Sequence, residues 1–403
     1  MTTLSVELAR PLDGRLPGIA CEGDSIATVP LSKEPSFAYW QQDIPRAYWD
    51  LDGAALVARI RAAREKLGTR AIVLGHHYQR EDIIQFADIK GDSFKLAQYA
   101  AQHPESEFIV FCGVHFMAES ADILSAPHQK VILPNMAAGC SMADMADEED
   151  VAAAWEELTE AGIAQDTLPI TYINSAAALK AFVGRLGGAV CTSTNAPKVL
   201  EWAYAQKRRV FFFPDQHLGR NTGARLGIPL DEMVLWDYRL PYGSLGGATL
   251  EQLQRSRAIL WQGHCSVHQR FTVSQIQAAR ERFPGAKVIV HPECRYDVVQ
   301  AADYNGSTEF IAKTVAAGEP GSIWAIGTEI NLVSRLAKEN PDKTVFCLDP
   351  VVCPCSTMYR VHPAYLAWAM ESLVEGRVVN QVKVPEETAR WARIALQRML
   401  EIA

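Results

Sequence analysis

The chain has 403 residues, 48% apolar and 21% charged, with 21 prolines and a net charge of −8. That length exceeds one ordinary hydrophobic core, and the acidic balance, with Lys and Arg dispersed, excludes the basic footprint of a nucleic-acid binder. No apolar run reaches the roughly 18 residues that cross a bilayer, and the amino terminus lacks the pattern of a secretion signal, so a soluble cytoplasmic protein without a membrane partner is expected.

Residues 1–50 are rich in Pro, Gly and polar side chains without clear periodicity, and read as an extension outside the main fold. From Asp52 the stretch DGAALVARIRAAREKLG has helical apolar spacing and stops at Gly68. Twelve short apolar strands then alternate with helices, in three sets of four. The first set runs RAIVLGHHYQ, ADIKGDS, EFIVFCG and KVILPN; the second LPITYINS, AVCTSTNA, RVFFFPD and AILWQGHC; the third KVIVHPEC, ADYNGST, SIWAIGTE and TVFCLDPVVCPC.

Each set opens with a strand tipped by His, Tyr, Asn or Glu, passes a Ser/Thr-bearing turn into a helix, and closes with a strand leading to cysteine. The interval from His76 to Cys140 equals that from His291 to Cys355. The middle set is longer, and LGIPLDEMVLWDYRLPYGSLGG is the candidate for its added segment. The expected architecture is therefore α/β: three similar αβα domains, each with a small parallel sheet, related by a pseudo-threefold axis. Their boundaries fall at 51–150, 151–268 and 269–403. In open α/β sheets ligands bind beyond the carboxyl ends of the strands, which puts the active site at the common centre. The final stretch VPEETARWARIALQRMLEIA, with Pro385 near its start and Trp391, Ile394 and Met399 at helical spacing, reads as a packing helix.

Nine cysteines, an odd number, argue for buried, catalytic or metal-bound thiols rather than a disulfide framework. Cys112, Cys191 and Cys347 lie in or beside apolar strands and read as small hydrophobes. Cys140, Cys265 and Cys355 each follow the fourth strand of a set, which makes them candidate metal ligands. Three thiolates suit zinc completed by His264 or His268, or a four-iron cluster left one protein ligand short. Ser93, Ser193 and Thr308 stand near helix starts that favour phosphate or carboxylates. His76 with Tyr78, Tyr172 with Asn174, and His291 with Glu293 are spaced to share a face at strand tips, and supply acid/base or carboxylate-binding groups.

These motifs together resemble the quinolinate synthase family. GHHYQ, GDS, FMAES, YINS, CTSTNA, WQGHCSVH, HPEC, NGST, GTE and CSTM occur in that order from about Arg70 onward. The resemblance implies three αβα domains around a pseudo-threefold axis, with Cys140, Cys265 and Cys355 binding one [4Fe-4S] cluster whose fourth iron is open to substrate. It implies condensation of iminoaspartate with dihydroxyacetone phosphate to quinolinate, releasing phosphate and two waters, in NAD biosynthesis. By motif, His76, Ser93, Tyr172, Asn174, Ser193, His291 and Thr308 would bind substrate. Tyr78, His291 and Glu293 would be catalytic, Tyr78 and Glu293 handling protons and Glu293 approaching the open iron. An L-aspartate oxidase is the implied supplier of the imine, and a monomer or homodimer the implied assembly. Some relatives carry CxxCxxC before the last ligand with a proposed redox disulfide, whereas this chain has only Cys353 and Cys355 there. Two other classes fit the cysteines alone: a zinc-dependent Cys3His hydrolase or lyase, and a non-catalytic iron-sulfur sensor.

Overall fold

In the computed structural model, which describes residues 41–351 and 354–402, fourteen strands form three sheets. The first contains β1 (Ala71–His76), β2 (Ile89–Gly91), β3 (Phe108–Cys112) and β4 (Lys130–Ile132). The second contains β5 (Thr167–Tyr172), β6 (Ala189–Cys191), β7 (Arg209–Phe213), β8 (Met233–Trp236) and β9 (Ala258–Trp261). The third contains β10 (Lys287–Val290), β11 (Tyr304–Asn305), β12 (Ile323–Gly327) and β13 (Thr344–Cys347). A last strand, β14 (Gln381–Val382), joins the first sheet.

The twelve expected strands are all present, and every pairing among them is parallel. In each sheet the second strand of the set flanks the first, followed by the third and fourth. The long middle segment contributes β8, an edge strand parallel to β9. β14 pairs antiparallel with β4 and covers the outer edge of the first sheet. Its two-residue length leaves almost no periodic signal in the sequence.

Parallel sheets need cover on both faces, which is why the strands read as unbroken apolar runs. The third sheet shows this most simply. Val288, Val290, Ala325 and Leu348 face one cluster with Phe271 and Ile276. Ile289, Trp324 and Ile326 face another with Ile311, Val315 and Leu336. The first two sheets share one larger core.

Helix Gly53–Leu67 starts where Asp52 accepts from the Ala55 amide and ends at Gly68, whose φ is 53°. Of the expected extension, residues 41–50 are described and are tied to the body: the Tyr48 hydroxyl donates to Glu371, and Trp49 lies against Tyr365. The carboxyl-terminal helix Glu386–Ile402 packs on Ala177–Arg185 of the second set rather than on the third sheet. At the crossing, a Cβ on Gly184 would stand 2.1 Å from the Trp391 carbonyl oxygen, so only glycine permits the approach.

Candidate active site

One cavity collects the first-strand tips of all three sheets, and its wall holds the three candidate cysteine ligands and every residue singled out above as a substrate-binding or catalytic group, but not the zinc candidates His264 and His268. From the first sheet come His76, Tyr78, Ser93 and Cys140; from the second Tyr172, Asn174, Ser193 and Cys265; from the third His291, Glu293, Thr308 and Cys355. Its space, mouth included, is about 600 Å³, within the usual range of small-molecule sites.

The paired tip residues meet differently from the expected strand alternation. β1 stops at His76 and β10 at Val290, and each chain then turns. The Tyr78 amide donates to His76 Nδ1 at 3.1 Å, and the Glu293 amide donates to His291 Nδ1 at 3.3 Å. Accepting at Nδ1 leaves the proton of each neutral ring on Nε2. Burial pushes both imidazoles down, His291 to about 3, so neutral rings are the ones present near pH 7.

A hydrogen-bonded chain crosses the cavity wall. Tyr172 donates to Glu293 Oε1 at 2.6 Å, and Glu293 Oε2 lies 2.7 Å from His268 Nδ1. His268 Nε2 lies 3.1 Å from Thr328 Oγ1 and 3.3 Å from the Tyr78 hydroxyl, and those two hydroxyls are 2.7 Å apart. His291 stacks on His268 with ring centres 4.5 Å apart. Burial pushes the Glu293 carboxyl up, but the two imidazoles and the hydrogen bonds from His268 and Tyr172 outweigh it and hold the group below the ordinary range. Tyr78 and Tyr172, by contrast, are held as phenols by burial and the nearby Glu293 charge. The expected catalytic groups are therefore joined through His268 and Thr328 rather than acting side by side.

The helix starts differ in detail. Helix Ser93–Gln102 is capped by Asp92, and helix Thr308–Ala316 by Ser307, so Ser93 and Thr308 occupy the first helical position. Ser193 stands in the turn before helix Ala196–Tyr204. Asp92 also accepts from the Thr194 hydroxyl at 2.7 Å, which ties the first of these helix starts to the turn before the second.

The three cavity thiols share a local construction. Each begins a C-S-x-x turn whose fourth residue opens a 3₁₀ helix: Ala143–Met145, His268–Arg270 and Met358–Arg360. The amide four residues after each cysteine donates back to the cysteine carbonyl. The amides of Ala143, His268 and Met358 face the sulfurs of Cys140, Cys265 and Cys355 respectively. Burial pushes all three thiols up, and their mutual charge interaction adds to this for Cys140 and Cys265. Deprotonation together in this space calls for a cation. Three thiols with inward amides fit an iron-sulfur centre, whose sulfurs accept such hydrogen bonds.

The family model described as Quinolinate synthetase A protein matches residues 58–401. The chain belongs to that family. It is 56% identical over 368 residues to a quinolinate synthase of Corynebacterium glutamicum, covering 91% of this chain and 93% of that protein. It is 54% identical over 364 residues to the quinolinate synthase of Geobacillus thermodenitrificans, covering 90% and 97% respectively.

As a member of the quinolinate synthetase A family, the chain assigns its two zinc-candidate histidines differently. Neither His264 nor His268 is part of the cavity wall. His268 lies with Cys265 and Glu293 in a group whose ligand atoms fall within 4.8 Å of one another, but both its ring nitrogens are engaged in the chain above. Sequence reasoning missed Thr328 and Asp92 as site residues. The GTE tip after β12 and the acidic residue of GDS were the available signals. Cys112 and Cys191 are buried in β3 and β6, as small hydrophobes should be, whereas Cys347 is only half-buried in β13. Cys353 lies outside the described residues. No helix among the described residues is long and apolar enough to cross a membrane.

Proposed function

We propose that the chain is a cytoplasmic quinolinate synthase, which condenses iminoaspartate with dihydroxyacetone phosphate, releases phosphate and two waters, and feeds NAD biosynthesis. The reading rests on one observation above all: three thiols share a single cavity with Tyr78 and Glu293, which His268 joins from outside its wall. We further read the three sheets as pseudo-threefold repeats, in domains 51–150, 151–268 and 269–403, each giving one thiol and one strand tip to the centre. A [4Fe-4S] cluster held by Cys140, Cys265 and Cys355 would supply a Lewis-acidic iron able to polarise a hydroxyl or carboxylate.

The protein's own groups divide the remaining work. His76 and His291 offer Nε2–H donors to carboxylates, while Ser93, Ser193 and Thr308, with the amides beside them, suit the phosphate and carboxyl oxygens. Asn174 has a buried Oδ1 without a protein partner, suited to a ligand N–H or hydroxyl. Glu293 already accepts from two donors, so it is a poor base toward substrate. Its part is to stabilise His268 as an imidazolium when a proton arrives at Nε2 from Tyr78 or Thr328. Tyr78 is then the phenol that exchanges protons with substrate during isomerisation and dehydration.

The test is anaerobic reconstitution with iron and sulfide, followed by assay of quinolinate from the two substrates. Product formation in the wild type is expected, with little iron and no product in Cys355→Ser, and both retained in Cys353→Ser. Full iron content in Cys355→Ser, or no product from a fully loaded wild type, overturns the reading.

A further inference from the structure

The reaction proposed above handles a dicarboxylate and a phosphate ester, yet among the described residues no lysine or arginine lines the cavity. A cation does lie behind its wall. Lys180, on helix Ala177–Arg185, is fully buried at 0% exposure. Its ammonium donates to the Ser175 carbonyl and sits 5.5 Å from the centre of the Phe116 ring, and Phe116 itself faces the cavity. Ser175 directly follows Asn174, another wall residue.

Those contacts do not account for a buried charge. One carbonyl and one aromatic face favour the cation, but an ammonium loses far more on leaving water than they return. The nearest carboxylate in effect is Glu119, which forms no ion pair with Lys180 among the described residues. Glu119 accepts instead from the Ala177 amide at 3.0 Å and lies 3.8 Å from His115. Burial pushes the lysine down to about 8, with Glu119 opposing. A charge held in this way, fully buried one ring behind the cavity, acts on a bound anion through a medium that screens it weakly.

We propose that Lys180 is a positioning residue that adds positive charge for anionic ligands in the cavity from behind Phe116, without touching them, in addition to that of buried Arg335, which acts near His76. The proposal rests on the quinolinate synthase reading for its ligand, and its test separates the two. Lys180→Met keeps the apolar stem and removes the charge, while Lys180→Gln keeps a donor for the Ser175 carbonyl. Reconstituted wild type and both variants are titrated calorimetrically with pyridine-2,3-dicarboxylate and with pyridine-2-carboxylate. The dianion is expected to bind at least about tenfold more weakly to both variants, and the monoanion only about threefold, because the loss scales with ligand charge. KM should rise more than kcat falls, and iron content should stay at the wild-type level. Equal weakening of both ligands marks a role in shape alone and overturns the proposal, as does wild-type affinity in Lys180→Gln. If neither variant folds, the ammonium is needed for the fold and the proposal falls. A wild type that binds the dianion but makes no quinolinate overturns the reading of the reaction, while the comparison of ligand charges still decides the role of Lys180.

Discussion

Glu293 is a carboxylate with both oxygens engaged, by Tyr172 and by His268, and this sets what its replacement should do. Glu293→Gln keeps the shape but cannot stabilise an imidazolium, and it presents an amide where the His268 N–H needs an acceptor. A drop in kcat of about 10² to 10⁴ is expected, with cluster absorption and iron content unchanged, measured on anaerobically reconstituted enzyme. A twofold drop would remove Glu293 from the proton chain. The sequence made Glu293 legible because a carboxylate two residues past a strand-end histidine is an unusual thing to place at a sheet edge. His268 was legible only as a spare metal ligand. Its position three residues after Cys265 suggests coordination, and only the folded chain shows both nitrogens already occupied. Thr328 was marked only by the GTE tip it belongs to, a weak signal because threonine at a strand end is ordinary.

At the level of elements, the strands were readable because each is an apolar run closed by a polar tip, and because the pattern repeats. What escaped was set by tertiary context. Alternation within a strand predicts same-face pairs only while the strand lasts, and the turn after His76 replaces it with a hydrogen bond from the Tyr78 amide. Edge strands β8 and β14 escaped too, one inside a Gly- and Pro-rich insertion and the other two residues long. Helix packing left one sharp trace. Gly184 sits in the interior of a helix, where alanine would normally be better by about 1 kcal/mol. Here its Cβ would meet the backbone of Trp391, which cannot rotate away. Gly184→Ala should therefore destabilise the protein by roughly 1–3 kcal/mol, read from urea unfolding. A stabilised variant would show that the two helices are not held at this distance.

For the molecule as a whole, the buried titratable groups dictate an acid response. Burial lowers His76, His217 and His291, with His217 near 4 and His291 near 3, so the unfolded chain takes up protons between about pH 6.5 and 4 that the fold refuses. Stability falls as pH falls through that window. Glu329 works the other way: burial raises it to about 7, so the fold gains a proton there that the unfolded chain takes up only nearer 4.5. His115 is lowered as these imidazoles are, and buried Asp215 is raised as Glu329 is, so four imidazoles oppose two carboxyls and stability declines, net, as the pH falls through this window. Urea midpoints of iron-free protein between pH 7 and pH 5 should decline accordingly. A flat profile would mean that these imidazoles are not held neutral.

The pairing of β14 with β4 has a consequence for how the protein is made. The outer edge of the first sheet is completed by β14, which is translated after the other thirteen strands, and helix Gly53–Leu67 likewise packs against the late segment Pro363–Val374. Until β14 emerges, a nascent chain carries an open strand edge at β4, the kind of edge on which chains associate with one another. The earliest unit to be translated is thus among the last to be finished. A translation pause before β14 should leave a species in need of chaperone cover even though thirteen of the fourteen described strands have already been synthesised.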